Sequence, residues 1–257
     1  QVDVVALESL LDERTRLVSV THVPTQGGLI NPAQRIGAIL KDTPILYQLD
    51  ACQSAGQLDV SVEEIGCDIL AFTGRKFIRG PRGTGMVWTS DAALAQMHSP
   101  AGVDMRGSTW DAPLTINPVA SARRFEPYEV FYAGKAGLAT ALQYAAAIGI
   151  DEIEARNRDL STHLRRRLAE IPTVTLRDKG RNKSAIITFT VEGHRAPDIQ
   201  RHLRAMAINV STSSQSSARL DFPHRGLDQV VRASVHYYNT TEEADALVDA
   251  VADLAHP

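Results

Sequence analysis

The strongest constraint on this chain is a rhythm in its first part, where short β-rich apolar runs alternate with helical or turn-forming stretches. LVSVTHV (17–23), PILYQL (44–49), DILAF (68–72) and GMVWT (85–89) have the length and branched content of buried strands. Strands spaced by helices and connecting loops predict an α/β fold whose sheet is mostly parallel and covered on its faces. In open sheets of that kind a ligand crevice lies beyond the carboxyl ends of the strands. His22 falls at the end of the first run and Asp50 at the end of the second. Lys76 follows the third, within AFTGRKFIRGPRGTG (71–85).

The elements between these runs are also legible. Residues 5–11 have helical spacing. Asn31 is placed to cap a helix with Pro32 at its first position and Ile36, Ile39 and Leu40 as its apolar stripe. Ser61 and Glu64 form a capping pair. RGSTWDAP (106–113) reads as a loop. The alanine-rich run 136–148 reads as a helix ended by Gly149. From Asp151 the chain is more charged, and Ile153, Leu160, Leu164 and Leu168 mark one face of a long amphipathic helix. On that helix Arg165, Arg166 and Arg167 read as a solvated face, because nothing else forms a basic stripe. Shorter runs follow (VTLRD, SAIITFTV, INVSTS and VRASVHYY), with a helix near 197–206 and a last helix opened by Thr240 and Glu243. They predict a small α/β domain with a mostly antiparallel sheet. The expected division is 1–150 and 151–257, with the boundary near 149–157. STSSQSSARLDF (211–222) reads as a flexible polar loop.

Composition narrows the function. Over 257 residues the net charge is -3, which gives no reason to expect nucleic acid or an acidic membrane surface. No apolar run approaches the roughly 20 residues of a membrane span. The two cysteines, Cys52 and Cys67, fit a reducing, cytoplasmic setting and make no metal-ligand cluster. No metal is therefore expected. Cys52 reads as a small buried filler.

Several residues carry two readings. Lys76 is either part of a solvated basic loop or an amine prone to lose its proton, since Arg75, Arg79 and Arg82 are close in sequence. A neutral amine attacks a carbonyl and forms an imine. Asp50, Gln53 and Lys76 together are what an imine-forming pyridine aldehyde needs. A carboxylate keeps the ring nitrogen protonated, an amide bonds the phenolic oxygen, and the lysine holds the aldehyde. His22 reads equally as a structural residue or a site residue. Arg232, in a strand-like run, is either a surface residue or a buried anion receptor. His236 and Tyr237 are either packing residues or part of a site. A different class of function also stands: a non-catalytic module whose Gly/Arg-rich loop 74–85 grips phosphate or RNA. The slight acidity, the 5% aromatic content and the absence of a base-stacking motif count against it.

THVPTQGGLINP, DACQSAG, FTGRKFIRGPRGTG and VRASVHYYNTTEE, in that order, resemble the class V aminotransferases. These are fold type I pyridoxal-phosphate enzymes that include cysteine desulfurases, selenocysteine lyases and isopenicillin N epimerase. The resemblance covers nearly the whole chain. It implies the C-terminal part of a large cofactor domain followed by a small domain. It also implies pyridoxal 5'-phosphate as cofactor, an amino acid as substrate and a homodimer. By resemblance Lys76 forms the imine. Asp50, Gln53, Thr73, Arg75, His22 and Thr25 are expected at the cofactor, and Arg232 on the substrate carboxylate. The position of Thr25 is often asparagine in the family. The family's phosphate turn and ring-stacking residue belong to a segment that comes before the matched stretch, so this sequence is expected to be the C-terminal part of a larger enzyme. Phe125 and Glu126 are followed by Pro127 and Tyr128 rather than by the family's Gly-Thr-Pro stretch. In the desulfurases the loop matching 211–222 bears a sulfur-accepting cysteine, whereas here Ser211, Ser213, Ser214, Ser216 and Ser217 occupy it. The expected reaction is transamination, epimerisation or elimination, without sulfur transfer to that loop.

Overall fold

A computed structural model describes residues 1–100 and 102–254 of the chain. Helix α1 (Val4–Leu10) starts at Asp3, whose carboxylate accepts the amide protons of Val5 and Ala6. The apolar runs then build the first sheet from β1 (Leu17–Thr21), β2 (Leu46–Asp50), β3 (Ile69–Thr73) and β4 (Gly85–Thr89), in that spatial order. The first three are parallel and β4 returns antiparallel to β3, because a turn rather than a crossover helix joins them. Register aligns Thr21 with Asp50 and Asp50 with Ala71, so the three parallel strands present their carboxyl ends at one edge. Helices α2 (Ala33–Leu40) and α3 (Val62–Ile65) pack together, and Ile36, Tyr47 and Leu49 are fully buried in this layer. Ser61 caps α3 as its spacing predicts, accepting the amide proton of Glu64.

Asn31 does not cap α2. It is buried, and its carboxamide accepts from Val2 N at 2.9 Å and donates to Thr21 O at 2.8 Å. A buried side-chain oxygen needs a donor, and Val2 N rather than the first turn of α2 supplies it. Pro32 stands at the cap without a side-chain bond.

After α4 (Asp91–Gln96) the stretch expected as a loop forms β5 (Ser108–Ala112), which pairs with β6 (Thr115–Pro118). Both strands are largely exposed, so no alternation of apolar and polar residues betrays them. Helix α5 (Tyr132–Ile148) ends at Gly149, whose φ of 96° breaks it from α6 (Ile150–Ala169). The second sheet is antiparallel throughout, with β7 (Val174–Leu176), β8 (Ile186–Val191), β9 (Ser211–Ser214) and β10 (Gln229–Ser234) in the spatial order β7-β8-β10-β9. Helices α6, α7 (Ala196–Ala205) and α9 (Thr241–Leu254) close its core through Leu160, Leu164, Leu168, Leu203 and Val251. Thr240 and Glu243 make the capping box of α9. The serine run is not a flexible loop. Ser211–Ser214 form the edge strand β9, and a 3-10 turn and the short α8 (Asp221–His224) follow.

Arg165 also departs from expectation. Arg166 and Arg167 are on the surface, but Arg165 is buried, with its Nε 2.6 Å from Asp178 Oδ2. Its Nη2 donates to the carbonyls of Ser184 and Ile186 at 2.7 and 2.8 Å. Asp178 Oδ1 accepts from the backbone and hydroxyl of Thr188, both at 2.7 Å. The carboxylate comes from a distant segment, so the helix pattern alone gave no sign of the pair. Removing one partner strands a buried charge, at a cost of about 3–5 kcal/mol. Asp178→Ala should therefore lower the denaturant midpoint strongly, and Arg165→Leu added to it should recover part of the loss.

Candidate active site

Lys76 sits in the turn that leaves β3. The turn is held by Gly74 N donating to Thr84 O at 2.9 Å and Gly80 N donating to Gly74 O at 2.7 Å. Within it Arg79 N donates to Lys76 O at 2.8 Å, and Arg79 takes a φ of 64°. Gly56 backs the turn from the other side. Its φ is +87°, and a Cβ there would lie 2.6 Å from the carbonyl carbon of Phe77. Only glycine lets the two backbones approach so closely. The segment that follows Asp50 therefore lies directly against the residue after the lysine.

A cavity of about 460 Å³ opens at this point. Thr25, Gln53, Arg75 and Lys76 line it from the first sheet's side, and Arg232 and Tyr238 from the second. Gln53 Nε2 donates to Thr25 Oγ1 at 2.8 Å, so the two polar side chains are already oriented by each other. Arg232 reaches the cavity from β10. Its Nε donates to Ser211 Oγ at 2.9 Å, and burial pushes its pKa down. Among the described residues no carboxylate offsets that burial. A desolvated guanidinium with its outer fork unpaired is an anion receptor. The reading of Arg232 as a surface residue therefore gives way.

The remaining expected residues stand outside the cavity wall. Asp50 lies on the adjacent strand end, half-buried, with Oδ1 accepting Cys52 N at 2.9 Å. Its Oδ2 has only a marginal contact, 3.5 Å from the Thr21 hydroxyl, which leaves one oxygen open to a donor. Thr73 is turned toward its own loop, with Oγ1 3.4 Å from Thr84 O. His22 faces elsewhere. It continues the buried alternation of Val18 and Val20, and its ring lines a second cavity of about 810 Å³ together with Asn157 and Gln57. Only its backbone serves the first site, by donating to Asp50 O at 3.0 Å. This larger cavity lacks Lys76 and Arg232, which line the smaller one.

The sequence left one cluster undecided. Arg79 Nη1 donates to Tyr237 Oη at 2.8 Å, and its guanidinium lies over the Tyr238 ring at 4.7 Å. His236 stacks on Phe77. The doubled tyrosine after a histidine was the visible signal, but its partners are over a hundred residues away in sequence. Among the described residues no group of acidic, histidine or cysteine side chains is placed to hold a metal ion, and no helix is long and apolar enough to cross a membrane.

The class-V aminotransferase family model matches residues 1–247. The chain belongs to that family. A probable cysteine desulfurase of Xylella fastidiosa strain Temecula1 is 32% identical over 251 residues, which cover 97% of this chain and 59% of the relative. The apo cysteine desulfurase of Thermococcus onnurineus NA1 superposes with a TM-score of 0.87 at 27% identity, over 93% of this chain and 60% of that one. A cystine C–S lyase solved with its product cysteine persulfide gives a TM-score of 0.84 at 27% identity, over 98% of this chain and 65% of that one. A variant of the lyase carries glycine covalently linked to its pyridoxal-phosphate cofactor. The chain thus spans about 60% of the length of such relatives.

Burial lowers the pKa of both His22 and His236 to about 4. The unfolded chain, with ordinary histidines near 6.5, binds more protons between these values. Stability should therefore be fully present above pH 6.5 and fall as the pH drops toward 4. His22→Gln should flatten that slope in denaturant titrations. A slope unchanged by the substitution would contradict a neutral buried His22.

Proposed function

We propose that this chain forms the reactive part of a pyridoxal 5'-phosphate enzyme that eliminates sulfur from a cysteine-like amino acid. Residues 1–150 would complete its large domain and 151–257 its small one. The observation that carries this reading is Arg232, a desolvated guanidinium with no carboxylate partner among the described residues, on the wall of the cavity that Lys76 also lines. A guanidinium there grips an α-carboxylate and turns the amino acid toward the lysine.

The donor set fits the cofactor. Lys76 supplies the amine to which its aldehyde is joined, and the open oxygen of Asp50 suits the ring N–H. Gln53, Thr25 and Arg75 share the cavity, while Thr73 ends β3 just before it. When bound, the cofactor supplies an electron sink for charge at the α-carbon. The Lys76 amine would hold and return the α-proton of the bound amino acid. His22 has no part in this proposal.

The sulfur-bearing substrate is favoured by the desulfurase and C–S lyase relatives. Its fate is argued from the chain. Ser211–Ser214 form a strand that supports Arg232, with no thiol in the run 211–222. Cys52 is near Asp50, but burial and that carboxylate raise its pKa, so it stays protonated and poorly nucleophilic. Sulfur would leave in a small molecule rather than on the chain. The phosphate- or RNA-gripping alternative loses Arg79, which is committed to tyrosines. Exposed apolar residues on β4 and the β5–β6 hairpin, Met86, Val87, Trp110 and Ile116 among them, are suited to burial in a homodimer.

With added cofactor the protein should release sulfide or persulfide from cysteine or cystine. Arg232→Gln should raise KM about 10–100-fold, the worth of a charge-assisted bond. An unchanged KM would remove Arg232 from the substrate, and no turnover of any amino acid would refute the reading.

A further inference from the structure

We propose that His236 is a positioning residue that fixes the Lys76 turn against the arm carrying Arg232. The inference rests on the reading above, in which Lys76 and Arg232 act on one substrate.

β10 carries Arg232 and ends at Ser234, and Val235 N then donates to Ala185 O at 3.1 Å. That bond keeps the arm in contact with the second sheet before it reaches His236. The His236 ring is buried, with Nδ1 3.0 Å from the amide of Tyr237 and Nε2 3.1 Å from the carbonyl oxygen of Phe77. An amide N–H only donates and a carbonyl only accepts. The neutral ring with its proton on Nε2 is therefore the form that satisfies both. With both nitrogens committed, His236 has no free atom for proton transfer, although it borders the cavity. What it does hold is the carbonyl of Phe77, the residue immediately after Lys76.

Packing reinforces the contact. The imidazole lies over Phe77 with centroids 5.2 Å apart and over Tyr238 at 4.6 Å, nearly parallel to both. Phe77 itself is buried in the core of the second sheet. Arg79, three residues beyond Lys76, adds a second tie through Tyr237. The turn is thus fastened on one face by His236 and backed on the other by Gly56. The most direct hydrogen bond between the Lys76 turn and the arm carrying Arg232 is the one from His236 to the Phe77 carbonyl.

Three variants test this. His236→Phe keeps a stacking ring and loses the donor. His236→Gln keeps a donor that reaches Phe77 O, and His236→Asn carries an amide too short to reach it. Without cofactor, amide hydrogen exchange across residues 74–80 should speed up about tenfold in H236F and H236N and stay near wild type in H236Q. With pyridoxal phosphate, kcat should fall about tenfold in the first two, with KM for the amino acid nearly unchanged because Arg232 is intact. H236Q should restore kcat. If H236F does not fold, H236N against H236Q gives the same comparison. Wild-type exchange and kcat in H236N would overturn the proposal. So would an H236Q as slow as H236N with its turn still protected, since that points to direct chemistry. Lys76→Ala run alongside separates the two claims: if it turns over substrate as wild type does, the lysine reading fails, while the exchange comparison still judges His236.

Discussion

The cavity has walls from two different sheets, so its geometry depends on what locks them together. The central lock is the buried amide of Gln57. Its Oε1 accepts Ala185 N at 3.0 Å, and its Nε2 donates to the carbonyl of Gln53. One side chain therefore links the segment carrying Gln53 to the strand region beside β10. Ser184 adds a second lock, donating through both its amide and hydroxyl to Gly28 O at 2.7 and 3.0 Å. Val23 and Phe77, from the first sheet's side, are buried in the second sheet's core. Losing a buried partner of this kind leaves an unsatisfied group, at about 1–3 kcal/mol. A rigid junction is what a two-walled site requires.

On that frame the electrostatics are arranged as a set of incomplete pairings. Arg232 is desolvated with no carboxylate among the described residues to offset it, and Asp50 has one oxygen fixed by Cys52 N and the other nearly free. Gln53 and Thr25 spend their bond on each other. Elsewhere in the protein a buried charge is fully matched, as with Arg165 and Asp178. The contrast is between a structural ion pair, which closes its hydrogen bonds internally, and groups that leave hydrogen-bonding capacity open, as the proposed site requires.

The sequence made the first sheet legible because each strand is a contiguous apolar run whose end coincides with a polar residue. Asp50 and Lys76 could be grouped from that alone. The grouping of Lys76 with Arg232 needed the family resemblance, since 155 positions lie between residue numbers 76 and 232 and no local pattern spans them. The errors have physical causes. Asn31 looked like a cap because capping is a local signal, yet the amide of Val2, near the start of the chain, claimed its side-chain oxygen. Arg165 sits in a run of arginines, and only the fold reveals the buried carboxylate that singles it out. The β5–β6 hairpin lacks a buried face, so periodicity had nothing to report. His22 is a separate case: it sits at the strand end and lines the larger cavity, away from Lys76 and Arg232.

The account stands most directly on the identity of the amine that takes the cofactor. Pyridoxal phosphate added to the protein, fixed with borohydride and located by peptide mass spectrometry, reads that identity without requiring turnover. The account predicts a single predominant adduct, on Lys76 Nζ, with a visible absorption band lost on reduction. A predominant adduct on Lys41, Lys135, Lys179 or Lys183, or labelling spread evenly over all the lysines, would contradict it.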